Sequence, residues 1–431
     1  MVALFKALQV ILALSILIIV HEFGHFLFAR LFGIRVEKFY LFFDVRGKAL
    51  ARWRIGETEF GIGWLPFGGY CKIAGMVDES VDMAQLRREP QPWEFRTHPA
   101  WQRLLVLAGG VLFNFIFAVV VYSAICGIWG TAYISNADSA VYPNELAREM
   151  GFRPGDRILK LDDYIPEDFG MLQADLARRE VRCATVLRGQ DTVRLYIDQS
   201  MIGEVLNSPL MFDLAMPFVV DSVASGANSG ALAKGDVVLQ IDGQDDRYLQ
   251  DASPILREHA GQTVMATVRR GCVISEVELQ VDTAGRLGIL LEPPVVKRQN
   301  YRGLDAVPAG LRKTGSTIKG YLSDLKMVFK PSTGAYKSVG SFIAIGQVFP
   351  RKWDWYQFLN ILALLSIMLG VVNLIPIPGL DGGHIVFTIY EMITGRKPSD
   401  KFLYIMQLIG MVLIFGLMFL AFGNDIMRLI R

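Results

Sequence analysis

Four cysteines, Cys71, Cys126, Cys183 and Cys272, lie far apart along 431 residues, and no Cys-x-x-Cys pair occurs. That spacing excludes a thiolate metal cluster and a disulfide framework, leaving the cysteines as isolated small hydrophobes. An excess of one charge is also missing. The chain has 44 Lys and Arg against 42 Asp and Glu, a formal net charge of +2. There is thus no global basic field of the kind that draws in a polynucleotide, and nucleic acid is not expected as a partner. Histidine is scarce, with five residues. What is abundant is apolar: 52% of residues are hydrophobic and the mean hydropathy is +0.34. A chain this apolar, yet 20% charged, implies membrane spans joined to water-soluble blocks.

A helix needs about 20 mostly apolar residues to cross the hydrocarbon core. Four stretches qualify, from about Ala3 to Phe32, Leu104 to Trp129, Phe358 to Ile377 and Phe402 to Phe422. The first has one early Lys6 and no small-x-small cleavage site, so it reads as a retained span, not a signal peptide. Basic residues mark the cytoplasmic side. Arg30, Arg35, Lys38, Arg96 and Arg103 flank the loop between spans one and two, and Arg396, Lys397 and Lys401 flank a short turn between spans three and four. Both connections are therefore expected inside, and the long middle segment outside.

That middle segment contains a repeat. Gly151-Phe-Arg-Pro-Gly-Asp-Arg-Ile-Leu-Lys-Leu-Asp-Asp163 corresponds to Ala231-Leu-Ala-Lys-Gly-Asp-Val-Val-Leu-Gln-Ile-Asp-Gly243, and Arg188-Gly189 corresponds to Arg270-Gly271. A helical stretch and then alternating strands follow each copy, which predicts two small domains of one fold. The expected division is a membrane part over 1–130 with a cytoplasmic loop over 33–98, repeat domains over 131–203 and 204–294, a juxtamembrane segment over 295–356, and a second membrane part over 357–431. Within the juxtamembrane segment, Leu311, Ile318, Leu322, Leu325 and Phe329 recur at helical spacing between lysines and arginines. This is an amphipathic helix, expected to pack on the membrane surface or a soluble domain.

His21-Glu22-Phe23-Gly24-His25 ends span one. Residues four apart share a helix face, so both imidazoles reach one ion, and Glu22 lies beside its open position as a general base. Zinc, one per chain, fits imidazole and carboxylate ligands. Ionisable side chains at membrane depth are costly, and three within five residues point to a shared ligand. Two histidines leave the site one protein ligand short. Glu37 is carried past the metal by helical geometry, and His384, a turn further on, is a substitute ligand ranked below Asp381. Asp381, after span three and beside Gly379, Gly382 and Gly383, is the expected third ligand. Between Trp53 and Ile73, polar and apolar residues alternate, with Gly61, Gly63, Gly68 and Gly69 allowing tight bends. The segment reads as a cytoplasmic, membrane-associated β-hairpin on which an unwound substrate pairs as an added strand.

These residues resemble the site-2 protease family, specifically the regulator of sigma-E protease type with tandem PDZ domains. The resemblance rests on His21-Glu-Phe-Gly-His25, Leu65-Pro-Phe-Gly-Gly-Tyr-Cys-Lys-Ile73, Asn114-Phe-Ile-Phe-Ala118 and Asn373-Leu-Ile-Pro-Ile-Pro-Gly-Leu-Asp-Gly-Gly383. Gly110 stands where that family often has proline. The resemblance implies an α-helical membrane protein with four transmembrane helices and two inserted extracytoplasmic PDZ-like α+β domains. It implies zinc on His21, His25 and Asp381, with Glu22 as catalytic base and Asn373 at the substrate or the developing oxyanion. It further implies regulated intramembrane proteolysis of single-span substrates, such as an anti-sigma factor or remnant signal peptides, in a bacterial inner membrane. The PDZ-like domains would admit substrates already trimmed by a site-1 protease. The competing readings are a membrane-anchored PDZ scaffold without catalysis and a metal transporter, which would show several polar clusters along a path.

Overall fold

The computed structural model describes residues 2–76, 89–224, 226, 228–245, 248–330 and 342–430. They form two compact units. One gathers the described residues of 1–130, 300–326 and 337–431, the other those of 131–299 and 327–336.

The first unit holds helices α1 (Val2–Leu31), α2 (Ala100–Trp129), α3 (Ala306–Val328), α4 (Trp355–Leu374), α5 (Asp381–Thr394) and α6 (Asp400–Ile430). Among the described residues, α1, α2, α4 and the Lys401–Asp425 stretch of α6 are long and apolar enough to cross a membrane. Without water to drive apolar association, such helices are held by close packing of small residues and by hydrogen bonds. Gly24 of α1 meets Gly109 of α2 so closely that a Cβ on either would overlap the other's backbone. Ser366 of α4 donates to the main-chain oxygen of Asn114 on α2 at 2.8 Å, beside Gly370.

In place of the expected short turn between the last two spans stands α5. The Pro376 and Pro378 segment ends α4, and Gly382 and Gly383 bring the new helix against the main chain of Leu374–Pro378, where a Cβ would not fit. A buried Arg103–Glu391 pair fastens α5 to α2. His384 Nε2 lies 3.2 Å from Gln407 Oε1 of α6. The amphipathic helix α3 is found as expected, and its end, Met327 and Val328, packs into the core of the first repeat, while the rest lies on apolar helices. Ala306 and Ala309 pack on Cys126, and Ile318, Tyr321 and Leu325 join the cluster formed by α2 and α4. Leu311 and Leu322 remain exposed.

Between α1 and α2 lie strands β1 (Val36–Phe43), β2 (Ala49–Ile55), β3 (Thr58–Gly63) and β4 (Leu65–Ile73). They form one sheet in the order β2-β3-β1-β4, with β1 parallel to β3 and antiparallel to β4. The expected hairpin is therefore corrected. The hairpin proper is β2–β3, turned at Gly56 with φ 60°, and β1 separates β3 from β4.

The second unit contains the two repeat copies, which share more than sequence. In the first, strands Arg157–Leu161, Cys183–Arg188 and Asp191–Tyr196 form an antiparallel sheet. In the second, Val237–Ile241, Thr263–Arg270 and Val273–Gln280 do the same. Arg188 grips the buried Asp156 through two bonds of 2.9 and 2.8 Å, as Arg270 grips Asp236 at 2.8 and 2.7 Å. Those arginines precede Gly189 and Gly271, both left-handed hairpin residues at φ 63° and 61°. The first copy extends beyond the expected boundary at 203, because Phe212–Leu214 pairs with Val141–Pro143 and Val205, Met211 and Phe212 enter its core. The second core begins at Phe218. Val296–Gln299, expected in the juxtamembrane segment, pairs with Thr131–Ile134.

The glycine contact between α1 and α2 gives a direct test. Gly24→Val forces overpacking that costs about 1–3 kcal/mol or more, read as a lower thermal unfolding temperature in detergent. Gly416→Val, with nothing within 4 Å of its added Cβ, should leave the temperature unchanged. Equal temperatures for the two variants would refute the crossing.

Candidate metal centre

The helical spacing of His21 and His25 places both rings on the face of α1 turned to α2 and α5. Their Nε2 atoms are 3.3 Å apart. Asp381, the first residue of α5, completes the group with Oδ2 at 3.2 Å from His21 Nε2 and 3.4 Å from His25 Nε2. Both histidines are buried, each at 8% relative exposure. Among the described residues, these three form the one cluster of histidine, cysteine or carboxylate ligands able to surround an ion.

The geometry can be tested against zinc. Zinc–ligand distances of about 2.0–2.1 Å in a tetrahedron require ligand atoms about 3.3–3.4 Å apart, which is the side of this triangle. Asp381 Oδ2 is buried and has no hydrogen-bond partner among the described residues. A carboxylate oxygen left in that state is costly unless a cation takes the place of a donor. The far sides of the rings are also occupied. His25 Nδ1 lies 2.9 Å from the main-chain oxygen of Val106, and His21 Nδ1 lies 3.1 Å from the Asn114 side chain. Gly110 leaves room for both imidazoles, since a Cβ there would collide with His25 Nε2 and the His21 ring. Gly110 is therefore packed directly on the candidate site.

The triad opens on a cleft of about 830 Å³, lined by Glu22, Asn373, Leu380 and His384 together with β4 residues. Glu22 lies close to the main chain of Cys71 on β4. Asn373 Nδ2 is 3.2 Å from His21 Nε2, so its amide stands at one corner of the triangle. His384 lines the cleft outside the triad. Glu37 is on β1, paired with Lys72 at 3.2 Å.

The four expected hairpin glycines part company. Gly68 and Gly69 lie on β4 and line the cleft, and Gly69 packs on Ile18, one turn before His21. Gly61 and Gly63 do not line it. They are on β3, where Gly61 lies under the Tyr40 ring and Gly63 against the Phe42–Phe43 main chain, so their small size serves packing within the sheet.

Sequence reasoning missed a polar network that stiffens this sheet. Tyr40 donates to Glu59 at 2.5 Å, and Asp44 receives Tyr70 at 2.7 Å and Lys38 at 3.0 Å. Burial works against the charge on Asp44, yet the bonds from Tyr70 and Lys38 hold its carboxyl below the usual range. Burial, and then the bond to Asp44, push the Tyr70 phenol up. The Tyr40 and Tyr70 rings stack with centroids 5.5 Å apart. The period-two placement of Lys38 and Tyr40 on β1 was a usable signal for one shared face, but the partners on β3 and β4 depended on register.

With the geometry established, comparison with known proteins gives a consistent result. Residues 9–417 match the model of peptidase family M50. A Vibrio cholerae protein provisionally named a zinc metalloprotease is 30% identical, over 99% of this chain and 99% of that one. The regulator of sigma-E protease RseP of Escherichia coli (strain K12) is also 30% identical, over 97% of this chain and 98% of that one. A solved PDZ domain of an SdrC-like protein from Listeria monocytogenes is 22% identical, covers 20% of this chain and 93% of that one, and has a TM-score of 0.16. That score is too low to carry an argument. The family match and the full-length relatives agree over nearly the whole chain, and the chain belongs to peptidase family M50.

Proposed function

We propose that this protein is an intramembrane zinc metalloprotease of the bacterial inner membrane, cleaving membrane-spanning segments of single-span proteins. The observation that carries this reading is the triangle of His21, His25 and Asp381 around a carboxylate oxygen with no hydrogen-bond donor, set among apolar helices. His21, His25 and Asp381 are the ligands, and one zinc ion bound there supplies Lewis acidity for attack of water on an amide carbonyl. Glu22, in the same cleft, takes the proton from the attacking water and passes it to the departing amide nitrogen. The Asn373 amide is placed to donate to the oxyanion that develops on the carbonyl.

A helical substrate hides its amides in its own hydrogen bonds and must unwind. β4 is an outer strand of its sheet and lines the cleft, so its outer edge can receive the unwound segment as an added strand. Gly68 and Gly69 keep the strand free of side chains there, a binding role that Gly61 and Gly63 do not share. The basic residues flanking the spans support an orientation with the zinc toward the cytoplasm and the PDZ-like domains in the periplasm, with lipid around the helices. In that position the two domains act as a filter, excluding bulky folded substrates until a site-1 protease has trimmed them. An anti-sigma factor or a remnant signal peptide fits as substrate.

Three outcomes test this reading. Glu22→Gln should retain one zinc per chain but slow cleavage of a single-span substrate by about 10²–10⁴-fold. Undiminished cleavage would remove Glu22 from the chemistry. Gly110→Ala should lose zinc and activity together, measured by atomic absorption on the purified protein. Full zinc content would contradict the packing of that glycine on the ligands. Disulfide trapping of Cys71 by single cysteines walked along a substrate's cleaved segment should alternate with a period of two residues, whereas a period near 3.6 would show that the substrate docks as a helix.

A further inference from the structure

We infer that Asn114 is a positioning residue for the metal, its side-chain oxygen accepting a hydrogen bond from His21 Nδ1–H and so holding that ring with Nε2 on the ion. The inference rests on the zinc site proposed above. It concerns a helix, α2, that contributes no ligand.

A neutral imidazole carries one N–H, and the other nitrogen holds the lone pair. His21 Nε2 points into the triangle, 3.2 Å from Asp381 Oδ2 and 3.3 Å from His25 Nε2, so its lone pair belongs there and Nδ1 bears the proton. The group facing Nδ1 at 3.1 Å is the Asn114 amide, which is fully buried. An amide NH₂ opposite an imidazole N–H would set two donors against each other. A half-turn of the amide exchanges its oxygen and nitrogen without changing its shape. The oxygen then faces Nδ1–H. In the opposite orientation Asn114 Oδ1 has no partner among the described residues, so the half-turn gives up no hydrogen bond of that oxygen.

His25 supports the same logic, because its Nδ1 faces a pure acceptor, the main-chain oxygen of Val106, at 2.9 Å. Val106, Gly110 and Asn114 are spaced by four and share one face of α2. Val106 takes one ring's N–H and Asn114 the other's, while Gly110 between them admits both imidazoles. The anchoring of Asn114 is itself fixed, since Ser366 of α4 donates to its main-chain oxygen at 2.8 Å. A histidine ligand whose second nitrogen is so held is oriented before the ion arrives, and losing the partner typically costs about 10–100-fold in metal affinity.

Zinc affinity of the full-length protein, measured by chelator competition in detergent, tests this without reference to proteolysis. Asn114→Ala and Asn114→Leu should bind zinc about 10–100-fold more weakly. Asn114→Asp keeps an acceptor but has no donor, and should stay within about threefold of wild type, as in carboxylate–histidine–zinc pairs. An Asp variant as weak as the Ala variant would overturn the inference, because His21 would then need a donor. Wild-type affinity in all three would overturn it as well. Should a variant fail to fold, wild-type protein labelled with ¹⁵N-histidine gives the answer directly. Zinc-loaded His21 should show a protonated Nδ1, and a proton-free Nδ1 would refute the assignment. Wild-type protein that binds no zinc would instead remove the metal site, and this inference with it.

Discussion

The close approach of α1 to α2 is the constraint on which the rest of the first unit depends. A cluster of three ligand atoms about 3.3 Å apart cannot form if ordinary side chains keep the ligand-bearing backbone away from the helix that supports it. Gly24 and Gly109 remove that obstacle at the crossing, and Gly110 removes it again beneath the imidazoles. Small residues do this throughout membrane interiors, where packing and hydrogen bonds replace the hydrophobic effect as the adhesive. Here the closeness has a second effect. It brings main-chain and amide acceptors of α2 within reach of rings carried by α1.

A different kind of order governs the sheet. On the proposed reading, β4 has to be stiff enough to present its outer edge to a substrate. Backing from β1 and the stacked Tyr40 and Tyr70 rings supply stiffness, and the Asp44 network adds to it from within the wall of the cleft. Edge strands in soluble proteins are usually blunted by charge, proline or cover. β4 carries Pro66 and Lys72, and Gly69 is covered by Ile18, so part of this strand follows that pattern, with the Gly68-Gly69 stretch free of side chains between them.

Much of the centre was legible in the sequence because its signals are local and have few alternatives. His21 and His25 are fixed by a four-residue helical spacing, and Asp381 by a run of glycines after an apolar span. The four long apolar helices follow from length and composition alone, and the repeat from aligned Gly-Asp and Arg-Gly pairs. What was not legible depended on contacts between distant segments. Nothing in residues 36–73 announces that β1 is inserted between β3 and β4, since a parallel pairing leaves no turn signal. Helix α5 was hidden because the prolines and glycines before it read as a turn, and a turn and a helix start share those residues. The first repeat's end at Leu214 instead of 203 depends on a three-strand-residue pairing with Val141–Pro143, too short to show periodicity. The role of Gly61 and Gly63 was misread for a related reason: a glycine that permits a bend and one that accommodates a ring look alike until the ring is located.

One pairing described above bears on how the chain is built. Thr131–Ile134 and Val296–Gln299 lie side by side with Thr131 opposite Gln299, so the 131–299 segment begins and ends in one two-stranded stalk, its ends about 5 Å apart. A block of about 170 residues attached this way is topologically a loop on its host. The gap its excision would leave is one that a tight turn can bridge, but Met327 and Val328 at the end of α3 pack into the first repeat's core and would lose their cover with it.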